Sequence, residues 1–225
     1  MGWPSPSQAS TSALEAPASP ASPLSQRAQA WPQWRLPAPL ERPQRNDLIY
    51  PSWFAGTWQV HSDDLNYTVR FGANGTGAIV GDRAFNAQAI GSALLGTQLQ
   101  GVTNDPTNPN RQLARLIPKP GLTMTLESTV VGRSQQQPSP SSFLADELAL
   151  QLLHGPGDPR VSRVETLSRY QLQADGRIEA DQWQATYPSP ELGLAAQPTN
   201  TAHYRLILEK VSSIQPPAPG SDPAT

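Results

Sequence analysis

The stretch VSRVETLSRYQLQADGRIEADQWQATY, residues 161–187, decides the fold. Two runs rich in β-branched and aromatic residues flank Asp175-Gly176, a dipeptide suited to a tight hairpin turn. A two-residue turn there pairs Ala174 with Arg177. It then sets Tyr170 against Asp181, Ser168 against Trp183 and Val164 against Tyr187. The other surface of this hairpin carries Arg163, Glu165 and Arg169, with Gln182 across from Arg169. A slip of one residue exchanges these partners and faces, so everything drawn from the pairing depends on the turn type.

On either side of this hairpin the same period-two pattern recurs. Gly56 to Ser62 places Trp58 and Val60 on one face and Thr57, Gln59 and His61 on the other. Val69 and Phe71 share a face, Asn74-Gly75 marks a second two-residue turn, and Ala78-Ile79-Val80 follows. Leu122, Met124 and Leu126 alternate with Thr123, Thr125 and Glu127. In the final run, Ala202 to Val211, Tyr204, Leu206 and Leu208 oppose His203, Arg205, Ile207 and Glu209. Phe85–Gly96, rich in Ala and Leu, is expected to be a short helix over a barrel mouth. Phe143–Leu153 fits a strand through Leu148, Leu150 and Leu152 or a helix through Leu144, Leu148 and Leu152; its β neighbours favour the strand. Asp63-Asp64 reads as a turn. The expectation is a mainly β chain: one antiparallel meander, closed into a barrel that removes its edges, with one or two short helices.

The ends read differently. Of the 225 residues 25 are Pro, and many of these cluster at the termini. Residues 1–45, rich in Ser, Pro, Ala and Gln, are expected to be disordered because they offer little apolar surface to bury. The run Trp31-Pro32-Gln33-Trp34-Arg35-Leu36-Pro37 leaves docking on the domain open as an alternative to a floppy linker. The domain proper is expected at 46–213, followed by a disordered tail at 214–225.

Composition excludes several classes. The net charge is −2, and no block of Lys or Arg supplies a nucleic-acid footprint. With no Cys, disulfides, thiolate metal sites and thiol nucleophiles are ruled out. No apolar stretch is long enough to span a bilayer, and no secretory leader is apparent. The expected location is therefore soluble and cytoplasmic as written, or thylakoid-associated or lumenal if the true start lies upstream.

Phe54-Ala55-Gly56-Thr57-Trp58-Gln59-Val60 resembles the opening strand of lipocalins and other calycins, whose signature is Gly-x-Trp. The resemblance implies a lipocalin-like barrel in which a cation from the last strand packs on that Trp and closes the base. Arg205 is the candidate partner of Trp58. A guanidinium over an indole contributes ~0.5–2 kcal/mol. Residues 47–54 (DLIYPSWF), 82–86 (DRAFN), 108–112 (NPNRQ) and 164–166 (VET) resemble a domain family of unknown function associated with cyanobacteria and plastids. That likeness implies a phototroph source over roughly residues 45–211 and supplies no catalytic residues.

The chemistry-bearing residues are sparse. His61, His154 and His203 lack metal-ligand spacing, and they read mainly as solvent-facing side chains; a haem-ligand role for His203 is the alternative. No metal site and no cofactor is identified. Polar residues inside strand-like runs form the one candidate site: Arg83, Asn86, Arg111, Gln112, Arg133, Glu147, Arg163, Glu165, Arg169 and Gln182. They form either a solvated outer face or a polar lumen in which guanidinium groups orient a carboxylate or carbonyl. The expected function is a binding or carrier protein for a small, partly apolar ligand such as a pigment, with Arg83, Asn86, Arg111, Arg133, Arg163, Glu165, Arg169 and Gln182 as ligand contacts. One alternative is an accessory or assembly factor of the photosynthetic apparatus that holds a protein partner through the N-terminal segment. The other is a barrel enzyme (isomerase, cyclase or chromophore lyase). No carboxylate pair or nucleophile motif stands out, so the reading leans away from an enzyme.

Overall fold

The computed structural model describes residues 22–62 and 65–211. The expected disorder at residues 1–21 and 214–225, and the expected turn at 63–64, lie outside them. Ten antiparallel strands follow one another as a meander: β1 (Gly56–Ser62), β2 (Leu65–Ala73), β3 (Ile79–Gly81), β4 (Leu99–Asp105), β5 (Asn108–Lys119), β6 (Leu122–Ser139), β7 (Ser142–His154), β8 (Arg160–Leu172), β9 (Ile178–Tyr187) and β10 (Asn200–Lys210). Their order in the single sheet is β3-β2-β1-β10-β9-β8-β7-β6-β5-β4, curled into a half-barrel with β3 and β4 at its open margins. The ambiguous run at 143–153 is a strand, and residues 85–96 are helical: α2 spans Arg83–Leu95. Asp82 caps α2 by accepting a hydrogen bond from the Phe85 amide.

The margins are bridged by other means than strand pairing. α2 packs against β2 and β4 across the gap. A Cβ on Gly91 would lie 2.5 Å from the tip of the Leu99 side chain, so a larger residue there would displace Leu99 from the helix face. β6 pairs with β5 only up to Thr129, which leaves its remaining edge free. The chain before β1 covers that edge: Glu41 bridges to Arg133, and Tyr50 bridges to Ile79 on β3. Residues 41–50 therefore close the opposite half of the gap.

Both hairpin turns differ from expectation in the same way. Gln173 N–H donates to Arg177 O, and Gly176 N–H donates to Gln173 O. Asn74 and Ala78 are joined likewise, with Gly77 N–H donating to Asn74 O. Each is a three-residue loop ending on a left-handed glycine, Gly176 (φ +85°) or Gly77 (φ +83°). The 161–187 hairpin is thus shifted by one residue. Arg163 pairs with Tyr187, Ser168 with Gln182, Arg169 with Asp181 and Tyr170 with Ala180.

That shift sorts the two faces. The concave face holds Val60, Val69, Phe71, Phe143, Ala145, Ile178, Leu206 and Leu208. Its base is plugged by the turn Ser52–Phe54. Phe54 is fully buried 5.0 Å from both Phe71 and Tyr170, and its carbonyl accepts the Trp58 indole N–H. Lys210 is the cation over Trp58, with Nζ 5.4 Å from the ring centroid. The expected Trp58–Arg205 pair does not form, because the register sets Trp58 beside Lys210 and Arg205 beside Asp181.

The convex face of β7–β9 carries Leu144, Leu167, Trp183, Ala185 and Tyr187 and is covered by residues 24–38. These belong to the segment expected to be disordered, and here they are packed. Helix α1 (Pro23–Gln29) starts on the Ser22 cap with Pro23 in its first turn, where the missing N–H costs nothing. Leu24 and Trp34 are each 1% exposed and Leu36 is 5% exposed. Trp34 and Leu36 belong to the run for which docking was the alternative. The physical reason is area: three large apolar side chains buried at ~1.5–3 kcal/mol each offset the ordering of a short segment.

Candidate functional site

The concave face lines an open-mouthed cavity of about 290 Å³. Val60, Val69, Leu206 and Leu208 form its apolar wall, α2 contributes Asn86, Ala87 and Ile90, and Tyr50, Tyr67 and Tyr170 face one another across it. These positions follow from alternation: Tyr67 shares a face with Val69 and Phe71, and Tyr170 with Ser168 and Thr166. Burial pushes the Tyr67 hydroxyl up to about 12 and raises Tyr50 and Tyr170 as well, and the neighbouring Tyr170 adds to the rise at Tyr50 and Tyr67. All three are neutral donors at physiological pH.

An ionic network lies beside the phenols. Arg83 donates from Nε to Asp47 Oδ1 (2.7 Å) and from its terminal nitrogens to both Glu147 oxygens (2.8 and 3.4 Å). Arg133 donates to Glu147 Oε1 (2.7 Å), to Asn46 O (2.6 Å) and to Asn110 Oδ1 (2.6 Å). Asn110, 1% exposed, donates in turn to Gln44 O and Asn46 O. Burial alone would raise the Glu147 carboxyl, but the two guanidinium groups outweigh it and hold the group below its ordinary value. Two cations and two carboxylates close this cluster, and its bonds to residues 44–47 tie the N-terminal arm to the half-barrel.

The one-residue shift divides the sequence-predicted residues. Arg83, Asn86 and Gln182 line the cavity, and so do Gln112 and Glu147. Arg133 reaches it only through Glu147. The Asn86 side chain is engaged with both backbone groups of Arg70, extending the margin of β2. Arg111, Arg163, Glu165 and Arg169 lie off the cavity. Arg111 binds Asp105 and Glu127, and Arg163 donates to the carbonyls of Pro188, Gly193 and Leu194. Arg169 binds Asp181 beside Trp183. Glu165, fully buried under α1, takes a bidentate ion pair from Arg27 (2.8 and 2.7 Å) and a hydrogen bond from the Tyr187 hydroxyl (2.7 Å). His203 stacks on Trp183 and contacts Asp181, outside the cavity.

Sequence reasoning missed Asp47, Asn110 and the three tyrosines. Inward-facing Tyr at alternate strand positions was the available signal for Tyr67 and Tyr170. Asp47, Asn110 and Tyr50 depend on the crossing of the N-terminal arm, which no local pattern encodes.

Residues 61–212 match the family described as Domain of unknown function (DUF6816). The chain belongs to that family. The DUF6816 match takes in β2–β10 and the cavity's strands, and it begins inside β1, after the N-terminal arm. Neither a curated protein nor a solved structure matches the chain. Among the described residues of this DUF6816 protein, no helix is long and apolar enough to cross a membrane.

Proposed function

We propose that this DUF6816 protein binds a small, partly apolar ligand in the cavity of its half-barrel. The observation that supports this is the cavity itself: about 290 Å³, walled by aliphatic side chains, with a few convergent polar groups. α2 forms one wall, yet none of its thirteen residues is buried, so the wall is thinnest there. The resemblance to cyanobacterial and plastid domains extends the proposal to a pigment-like or isoprenoid ligand in a phototroph.

The accessory-factor reading placed the contact in the N-terminal Trp pair; Trp34 is instead spent on this chain's own convex face. The enzyme reading named no catalytic residues, and among the described residues no carboxylate pair faces the cavity: Glu147 lines it, while Glu165 lies away from it. Carriage of a ligand is the reading retained.

The test is native mass spectrometry of protein from its native host, with saturable uptake of an apolar compound by the emptied protein. Ala87→Trp fills the cavity from α2. A stoichiometric bound mass, and uptake lost in Ala87→Trp, is the expected result. A bare chain whose uptake ignores that substitution would overturn the proposal.

A further inference from the structure

The cavity's electrostatics narrow the ligand class, an inference that rests on the binding reading above. Every guanidinium near the cavity is already spent. Arg83 is held by Asp47 and Glu147, and Arg133 by Glu147, Asn110 and a backbone carbonyl. A carboxylate ligand would have to compete with ion pairs that are already desolvated. A cationic ligand would find Glu147 occupied from two sides. An unpaired charge in such a site is costly, so both classes are disfavoured.

Uncharged donors are what the cavity has to spare. The hydroxyls of Tyr50 and Tyr67 have no hydrogen-bond partner among the described residues, although both residues line the cavity. The Gln182 side chain also lines it; its oxygen accepts from Ser168, and its amide N–H groups are left to donate. A phenol facing an apolar wall gains most from an acceptor that carries little desolvation cost, which a ketone oxygen provides and a carboxylate does not.

We propose that the cavity selects a neutral, apolar molecule bearing carbonyl oxygens, a ketone or quinone, with Tyr50 and Tyr67 as the donors that orient it. The aliphatic wall of Val60, Val69, Leu206 and Leu208 takes the hydrocarbon body. The phenols and Gln182 meet the carbonyl end. The ion-pair cluster stays intact and fixes Tyr50 through the arm that carries it.

Three compounds with one ring body test this: 2-acetylnaphthalene, 2-ethylnaphthalene and 2-naphthoate, titrated calorimetrically against the full chain. The ketone is expected to bind about 2- to 12-fold more tightly than the ethyl compound, the worth of one neutral hydrogen bond. It is expected to exceed the carboxylate roughly tenfold or more. In the Tyr50→Phe, Tyr67→Phe double variant, the ketone and the ethyl compound converge, while the ethyl compound binds as before. Carboxylate binding equal to or tighter than the ketone would overturn the neutral-carbonyl assignment, and a ketone preference that survives both substitutions would overturn Tyr50 and Tyr67 as its donors. Either outcome leaves the cavity as a binding site. If none of the three binds saturably, or if Ala87→Trp leaves all three unaffected, the binding reading itself falls.

Discussion

Replacing Asp146 with Leu is expected to stabilise this protein. Asp146 is fully buried on the convex face of β7, and neither carboxyl oxygen meets a partner at good hydrogen-bond geometry, the Glu165 carboxylate being the polar group within its reach. Its neighbours on that face include Leu144 and Leu148 along the strand and Leu167 directly across from it. A buried acceptor left unsatisfied costs roughly 1–3 kcal/mol, and Leu at this site removes that cost without opening a cavity. The gain of about 1–3 kcal/mol corresponds to ~2–12 °C in Tm for a domain of this size. The effect also depends on pH. Burial first, and then the nearby Glu165, through its charge and by accepting from the protonated form, push the Asp146 carboxyl well above its ordinary value, with Arg27 pulling the other way. The unfolded chain releases this proton near pH 4 (about the ordinary value for Asp) while the folded chain retains it. This contribution to stability is therefore complete below about pH 4, falls as pH rises, and levels off only above the folded pKa. Urea and thermal unfolding of the wild type, Asp146→Asn and Asp146→Leu between about pH 4 and 8 measure it. The Leu variant's advantage should grow across that range, and Asp146→Asn should lose the corresponding slope. A Leu variant less stable than wild type at neutral pH, or an unchanged slope in Asp146→Asn, would refute the reasoning.

Other perturbations are equally specific. Glu147→Ala strips Arg83 and Arg133 of their shared carboxylate, and denaturant unfolding should show a loss of ~1.5–3 kcal/mol, the range for hydrogen bonds to charged groups in a partly buried cluster. Trp34→Ala removes the anchor of the N-terminal segment; limited proteolysis should cut within residues 22–40 while the half-barrel stays resistant. Lys210→Ala should cost ~0.5–1 kcal/mol through its contact with Trp58, whereas Arg205→Ala leaves the Trp58 environment and its fluorescence unchanged.

The strands were legible because their alternation survives any register. Trp58 and Val60, or Leu206 and Leu208, declare a buried face whatever they pair with. The candidate site was less legible because it depends on pairing between strands. Asp175-Gly176 reads as a two-residue turn, yet Gly176 serves as the left-handed third residue of a longer loop. That single step sends Trp183 and Tyr187 to the convex face with Glu165 and Arg169, and it brings Gln182 inward beside Ser168. The N-terminal segment was misjudged on composition: its average is that of a disordered chain, but Leu24, Trp34 and Leu36 act as individual anchors. The base cation was sought too far from the strand end, since Lys210, rather than Arg205, lies opposite Trp58.

The arm at residues 41–50 has a practical consequence for anyone preparing this protein. A fragment trimmed to the family match, 61–212, would begin inside β1 and discard Trp58, Phe54 and both bridges to Arg133 and Ile79. The free edges of β6 and β3 would then present unpaired amides and carbonyls to neighbouring molecules, which invites edge-to-edge self-association. Expression boundaries placed ahead of Ser22 keep the arm, and with it a sheet whose margins are occupied by its own chain.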